Sequence, residues 1–202
     1  FVLRSLHDWP ELERIADQLT AVYEEALRQA PNDVWIIQAR LYRIGVQVWR
    51  GEAYLRTGQA ARAVALLERL PEQIAAVSQN PNWVEDRQAV VDDVSTTLGE
   101  VLLETGDPPR ARSVLEEGIR SRETAIARQS ANWGYQAGLA ETCTLLARTL
   151  DPAKSDEALR HRQLLDRAAA ILEKGESNGQ LTADNKELLA RIATMRTMAS
   201  SS

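Results

Sequence analysis

The sequence predicts an all-α protein built of about eight antiparallel helices. Apolar residues recur with the 3.6-residue period of an amphipathic helix along almost the whole chain. The alternation typical of half-buried strands is absent, and aromatic residues, which favour strands, make up only 5% of the 202 residues. The chain also matches itself at a spacing of 48 to 50 residues, and such long periods are typical of stacked helical hairpins.

Helix breakers and caps divide the chain into these helices. Pro31 disfavours helix at the residue before it and therefore ends the first helix. Gly58 and Gly106 follow the second and fourth helices, because glycine readily adopts the left-handed conformation that closes a helix. Pro71 predicts a kink or break in the third helix, and Gly175 begins a loop before the last one. The expected helices cover residues 8–30, 32–57, 59–78, 82–105, 108–129, 132–150, 152–174 and 182–198, with 199–202 frayed.

Self-comparison shows that pairs of helices are repeated. The segment Gly51–Gly58 (GEAYLRTG) matches Gly99–Gly106 (GEVLLETG), 48 residues later. Trp35 and Trp83 share this spacing, and Trp133 follows after 50 residues as the start of a degenerate third copy. We name the two helices of each copy helix A and helix B. One such hairpin cannot bury its apolar face alone, so neighbouring copies are expected to stack, with the tryptophans as core aromatics between them. The alternative is that the tryptophans stack on a ligand.

These residues resemble the tetratricopeptide repeat. That family places a small and a large apolar residue on helix A, a glycine in the turn, and an alanine and a large apolar residue on helix B. The matching positions are Gly51, Tyr54, Gly58, Ala63 and Leu67 in the first copy, and Gly99, Leu102, Gly106, Ala111 and Leu115 in the second. The resemblance implies a right-handed α-α superhelix, a TPR-like solenoid. The period departs from the family unit of about 34 residues because both helices are longer here.

The repeats predict one TPR-like domain over residues 1–202. Its expected parts are a half repeat at 1–31, repeats at 32–81 and 82–131, a degenerate repeat at 132–175 and a capping helix at 181–198. The first helix resembles a helix B without its helix A, so the chain is expected to be a fragment of a longer protein. The Asn–Trp start of the copies resembles repeats that follow eukaryotic-like serine/threonine kinase or adenylate cyclase domains in bacteria.

Composition excludes several classes of function. The formal net charge of -5 argues against a nucleic-acid partner, which usually requires a basic face. No run of about 18 apolar residues is present, so no membrane contact is expected. One cysteine and two histidines cannot form an internal disulfide or the usual zinc site, so neither a metal nor a cofactor is expected.

No catalytic constellation is apparent, so this region is not expected to be an enzyme, although a catalytic domain could be attached to it. Cys143 lies among threonine and leucine residues on a helix, which favours a small buried residue over a nucleophile. His161 lies between two arginines and is expected on a solvated face, and His7 in a loop. Asp92 and Asp93 are adjacent on a helix and point about 100° apart, which suits acid–base catalysis poorly.

The family resemblance implies that helix A lines a concave groove that binds a protein or peptide. The corresponding residues are Val48, Glu52, Leu55 and Arg56 in the first copy and Thr96, Glu100, Leu103 and Glu104 in the second, with Trp49 as an added aromatic. Val48 and Thr96 stand where chaperone-binding members carry a lysine. Glu52 and Glu100 stand where those members carry an asparagine, so their carboxylate clamp is absent. The acidic residues suit a basic peptide, and the alternative is an ordinary solvated helix face.

Three functions remain open. The first is a protein-interaction scaffold or sensor segment of a larger bacterial signalling protein in the cytoplasm, or in the periplasm if a membrane span precedes it. The excess of arginine over lysine is typical of a GC-rich bacterial genome. The second is self-association as a homodimer through an uncapped N-terminal face that includes Leu3 and Leu6. The third is an enzyme with no recognisable site.

Overall fold

A computed structural model of the protein describes residues 8–29, 36–77 and 84–200. Regular secondary structure in these ranges is helical, so the predicted all-α, TPR-like class is confirmed. The helices are α1 (Trp9–Gln29), α2 (Ile36–Arg56), α3 (Ala60–Leu67), α4 (Leu70–Ala75), α5 (Val84–Glu104), α6 (Pro108–Arg128), α7 (Trp133–Arg148), α8 (Ser155–Ser177) and α9 (Ala183–Ser200). The predictions that lie outside the described residues concern Leu3, Leu6, His7, Trp35 and Trp83.

The chain divides into two compact units, residues 1–105 (unit 1) and 106–202 (unit 2). In unit 1, α1 packs on α2, and both α2 and α3 pack on α5. In unit 2, α7 packs on α6 and α8, and α9 packs on α8. Within each unit the contacts therefore run between successive helices and between successive helices A, as in a helical repeat. One domain over residues 1–202 stays a prediction.

The turn between α2 and α3 depends on the backbone of Gly58. Its φ is +78°, and Gly106 has nearly the same value, +79°. The Gln59 N–H donates to the Tyr54 carbonyl at 2.7 Å, and the Gly58 N–H donates to the Leu55 carbonyl at 3.1 Å. These two bonds form the Schellman motif, in which a left-handed residue lets the chain satisfy the last carbonyls of a helix. The predicted cap at Gly58 is therefore confirmed.

The helices of the first hairpin approach each other most closely at Gly51. A Cβ atom on Gly51 would lie only 2.8 Å from Cδ2 of Leu67 in α3. Leu67 is completely buried, so close-packed neighbouring atoms restrict how far it can move. The small residue predicted on helix A is therefore required by direct contact with the large residue on helix B.

The repeat spacing is also the spacing of buried positions on helix B. In α3, α4 and the residues after them, the buried positions are Ala63, Leu67, Leu70, Ile74 and Val77. The same positions 48 residues later in α6 are Ala111, Leu115, Gly118, Arg122 and Ala125, and 50 residues further on in α8 they are His161, Leu165, Ala168, Leu172 and Gly175. The third copy, degenerate in sequence, thus keeps the packing register of the others on its helix B.

Several helix boundaries differ from their predicted positions, and two of them have a local reason. The break near Pro71 falls earlier, at Glu68 and Arg69, and the proline lies in the first turn of α4, where its missing N–H costs nothing. Helix α8 continues through Gly175 and ends at Ser177. A Cβ on Gly175 would overlap the Trp133 indole of α7, so this glycine makes room for a ring and does not end the helix. At the C-terminus, α9 extends to Ser200, beyond its predicted end at residue 198.

Replacement of Gly51 tests the close approach of α2 and α3. Gly51→Leu should lower the free energy of unfolding by about 2 kcal/mol, because the added side chain overpacks a core that cannot relax. The matched control is Gly45→Leu, since a Cβ at Gly45 would meet no atom within 4 Å. That change should stabilise α2 by about 0.5–1 kcal/mol through helix propensity. Urea denaturation followed by circular dichroism measures both, and equal stabilities would contradict the packing argument.

Candidate partner-binding surface

The residues of the predicted groove lie on α2 and α5, the two helices A of unit 1, which pack on each other. Nη2 of Arg56 in α2 donates to Oε1 of Glu100 in α5 at 2.7 Å. Residues three and four positions apart share a face of a helix. The ion pair therefore places the face of α2 that carries Arg56 next to the face of α5 that carries Glu100. The rows of residues on these faces are Glu52, Leu55 and Arg56 on α2, and Glu100, Leu103 and Glu104 on α5.

Burial divides these residues into two groups. Val48, Glu52 and Thr96 are only 5–6% exposed, so their side chains are not accessible to a partner in this structure. The remaining six are partly or well exposed, and we call them the helix A surface: Trp49, Leu55, Arg56, Glu100, Leu103 and Glu104. The acidic residues of the predicted groove therefore have unlike surroundings. Glu52 is buried, Glu100 is paired and mostly covered, and Glu104 is exposed.

Arg56 connects three helices. Besides its ion pair with Glu100, its guanidinium lies over the Trp9 ring of α1, with 5.9 Å between Cζ and the ring centroid. A cation over an aromatic ring contributes about 0.5–1 kcal/mol at an exposed site. The Arg56 side chain is 37% exposed, so a charged partner could approach its guanidinium.

Tyr54 forms a polar cluster next to this surface that the sequence analysis did not predict. Its hydroxyl accepts hydrogen bonds from Nε of Arg50 at 2.8 Å and from Nη2 of Arg62 at 2.9 Å. Cζ of Arg62 lies 4.2 Å from the ring centroid, and Arg50 forms an ion pair with Asp17 of α1 at 2.6 Å. The cluster joins α1, α2 and α3. The sequence signal is an arginine four residues before Tyr54 and another eight residues after it.

Of the candidate catalytic residues, Cys143 and His161 are buried, and the carboxylates of Asp92 and Asp93 point in different directions. Cys143 is completely buried, and burial raises the pKa of its thiol to about 11, so it is a thiol and not a nucleophilic thiolate near pH 7. His161 is buried at 5% exposure, and burial lowers its pKa. Its predicted solvated position is wrong, because the neighbouring arginines point about 100° away on the helix. Asp92 is buried and Asp93 exposed, so the two carboxylates diverge as predicted.

Residues 8–29, 36–77 and 84–200 contain no group of three or more His, Cys, Asp or Glu side chains arranged to hold a metal ion. None of the helices in these ranges combines the length and the apolar character that a bilayer span requires.

The buried thiol should react slowly with a thiol reagent. At pH 8 we expect Cys143 to react with Ellman's reagent at least about 100-fold more slowly in the native chain than in the unfolded chain, because the pKa of about 11 reduces the thiolate fraction. The absorbance of the released thionitrobenzoate anion measures both rates. The rate for the unfolded chain is measured in guanidinium chloride. Similar rates in the two states would show that Cys143 is accessible.

Comparison with known proteins agrees with the repeat pattern. A family model described as tetratricopeptide repeat matches residues 44–69 and 95–117. Each match covers the end of a helix A, the turn glycine and the first turns of a helix B. No curated protein and no solved structure gives a significant match. Tetratricopeptide repeats are generally protein–protein interaction modules and typically non-catalytic. The two matched segments and the helical fold together support a tetratricopeptide-like repeat protein.

Proposed function

We propose that this chain is a protein-interaction scaffold or sensor segment of a larger bacterial signalling protein, and that it binds a peptide or protein partner on the helix A surface. The observation that supports this proposal best is the Arg56–Glu100 ion pair. It joins the helix A rows of two successive copies, so that one partner can contact residues of both. The proposal includes a cytoplasmic location, which accords with the resemblance to repeats that follow kinase or cyclase domains.

The chemistry of the surface indicates the kind of partner. Trp49, Leu55 and Leu103 are half-buried, so each can bury further apolar area on binding, at about 25 cal/mol per Å². Two carboxylates and one guanidinium leave the charged part of the surface net negative. We therefore expect a segment with a large apolar side chain flanked by basic residues, since complementary charge selects the partner and speeds its association.

Charge reversal at two positions of the helix A surface should change affinity in opposite directions. A basic peptide is first selected on the full chain from a random library. Arg56→Glu should tighten its binding about three- to tenfold, because a cation is replaced and Glu100 is released from its ion pair. Glu104→Arg should weaken binding by a similar factor. Fluorescence anisotropy of the labelled peptide measures each dissociation constant.

The matched control is Arg162→Glu, which makes the same change in net charge at an exposed position on α8 in unit 2. It should change the dissociation constant less than about twofold at physiological salt, because Arg162 is not part of the helix A surface and its reversal changes only the net charge. If Arg162→Glu tightened binding as much as Arg56→Glu, the effect would be one of net charge, and the helix A surface would not be the binding site.

A further inference from the structure

Gly45 lies in the interior of α2, and the packing of this chain gives no reason for a glycine there. Glycine is a poor helix former compared with alanine, so inside a helix it usually has a packing or functional reason. At Gly51 and Gly175 that reason is visible, because a Cβ atom would collide with Leu67 or with the Trp133 ring. At Gly45 a Cβ atom would meet no atom within 4 Å in the described part of the chain. The space above Gly45 is therefore open.

Aromatic residues stand one turn before and one turn after Gly45 on the same face of α2. Tyr42 precedes it by three positions, and Trp49 follows it by four. Tyr42 is 48% exposed, and Trp49 is half-buried. We call Tyr42, Gly45 and Trp49 the Gly45 notch, since they form a row of two large aromatic residues with a residue that has no side chain between them.

The contacts of Tyr42 direct its side chain away from Gly45. Its hydroxyl accepts a hydrogen bond at 2.8 Å from the side-chain amide of Gln38, which lies one turn earlier in α2. Its ring also contacts the ring of Tyr23 in α1, with 6.4 Å between the centroids and an angle of 54° between the planes. Side chains on a helix point towards its N-terminus, and Tyr42 follows this rule. The Tyr42 ring therefore borders the notch and does not fill it.

The neighbouring helix A brings negative charge beside the notch. Helix α5 packs on α2, and its corresponding row, 48 residues later in the sequence, carries four carboxylates: Asp86, Asp93, Glu100 and Glu104. The Arg56–Glu100 ion pair joins the two helices at an offset of 44 residues, while the repeat offset is 48. At these offsets, the residue of α2 beside Asp93 is Trp49 or Gly45. Asp93 is exposed, so its carboxylate lies at the edge of the notch.

The arginines of α2 near the notch do not cancel this negative charge. Arg43 forms an ion pair with Glu24 of α1 at 3.6 Å, and Arg50 forms one with Asp17 of α1 at 2.6 Å. Arg40 lies five positions before the glycine, so it points about 140° away around the helix axis. The open side of the notch therefore combines aromatic rings with one exposed carboxylate.

We propose that the Gly45 notch binds an aromatic side chain of the partner, and that a basic residue close to it in the partner pairs with Asp93. This inference rests on the proposed function, because Trp49 belongs both to the notch and to the helix A surface. A flat ring fits between Tyr42 and Trp49 over the backbone of Gly45, and aromatic rings pack well in offset or edge-to-face arrangements. The large apolar residue expected in the partner is thereby narrowed to an aromatic one.

Filling the notch tests the proposal. The probe is the labelled basic peptide selected on the full chain, in which we expect an aromatic residue within four positions of an arginine or lysine. Gly45→Leu should weaken its binding about tenfold, measured by fluorescence anisotropy, although the same change should stabilise the chain against urea. The matched control is Ala65→Leu, which adds the same side chain at an exposed position on α3, a helix B. It should change the dissociation constant less than about twofold.

Two double-mutant cycles assign the individual contacts. Alanine in place of the aromatic residue of the peptide should weaken binding to the wild-type chain about tenfold, but to the Gly45→Leu chain less than about twofold, because that chain has already lost the contact. Asp93→Asn should weaken binding of the original peptide about threefold. It should have no effect on a peptide whose neighbouring basic residue is replaced by glutamine.

Equal binding of the peptide to the wild-type and Gly45→Leu chains would overturn this inference. The proposed function would survive that result if Arg56→Glu and Glu104→Arg still changed the affinity for the same peptide in opposite directions. A selected peptide without an aromatic residue would overturn the inference as well, and failure to select any peptide would overturn both proposals. A Gly45→Leu chain less stable than the wild type would show that the notch is filled by the chain itself, which also contradicts the inference.

Discussion

Close packing of helix A on helix B is the constraint on which the rest of the structure depends. Leu67 occupies the space that a side chain at Gly51 would need, so the two helices of the hairpin meet through one small and one large residue. A hairpin packed in this way still has an apolar face that it cannot bury alone, and neighbouring helices must cover it. Buried positions therefore recur with the period of the repeat, even where residue types change, as from Ala111 to His161.

The same constraint decides where charge can act. Carboxylates and arginines that face neighbouring helices form ion pairs across the repeats, such as Arg56–Glu100 in unit 1 and Arg160–Glu116 in unit 2. These pairs are partly exposed, so each contributes little stability and can exchange for contacts with a partner. The proposed binding surface lies beside one such pair, where half-buried apolar residues adjoin exposed charge.

The repeat could be predicted from sequence because its signals are local. The glycine at position 58 closes a helix through its own backbone, and the period of tryptophan, glycine and alanine needs no tertiary information. The candidate site was less predictable. Glu52 and Glu100 occupy equivalent positions of two copies, yet one is buried and the other forms an ion pair. Each copy has different neighbours, so equivalent residues meet different surroundings.

By itself the sequence determined the helical class, the hairpin of α2 and α3, the turn at Gly58 and the burial of Cys143, because periodicity and backbone preference act within a few turns of helix. Tertiary structure alone decided that Gly175 lies inside α8 beneath the Trp133 ring, that His161 is buried, and that the space above Gly45 is open. These features depend on which side chains from distant parts of the chain pack against each other. The spacing of residues along the sequence does not specify those packing partners.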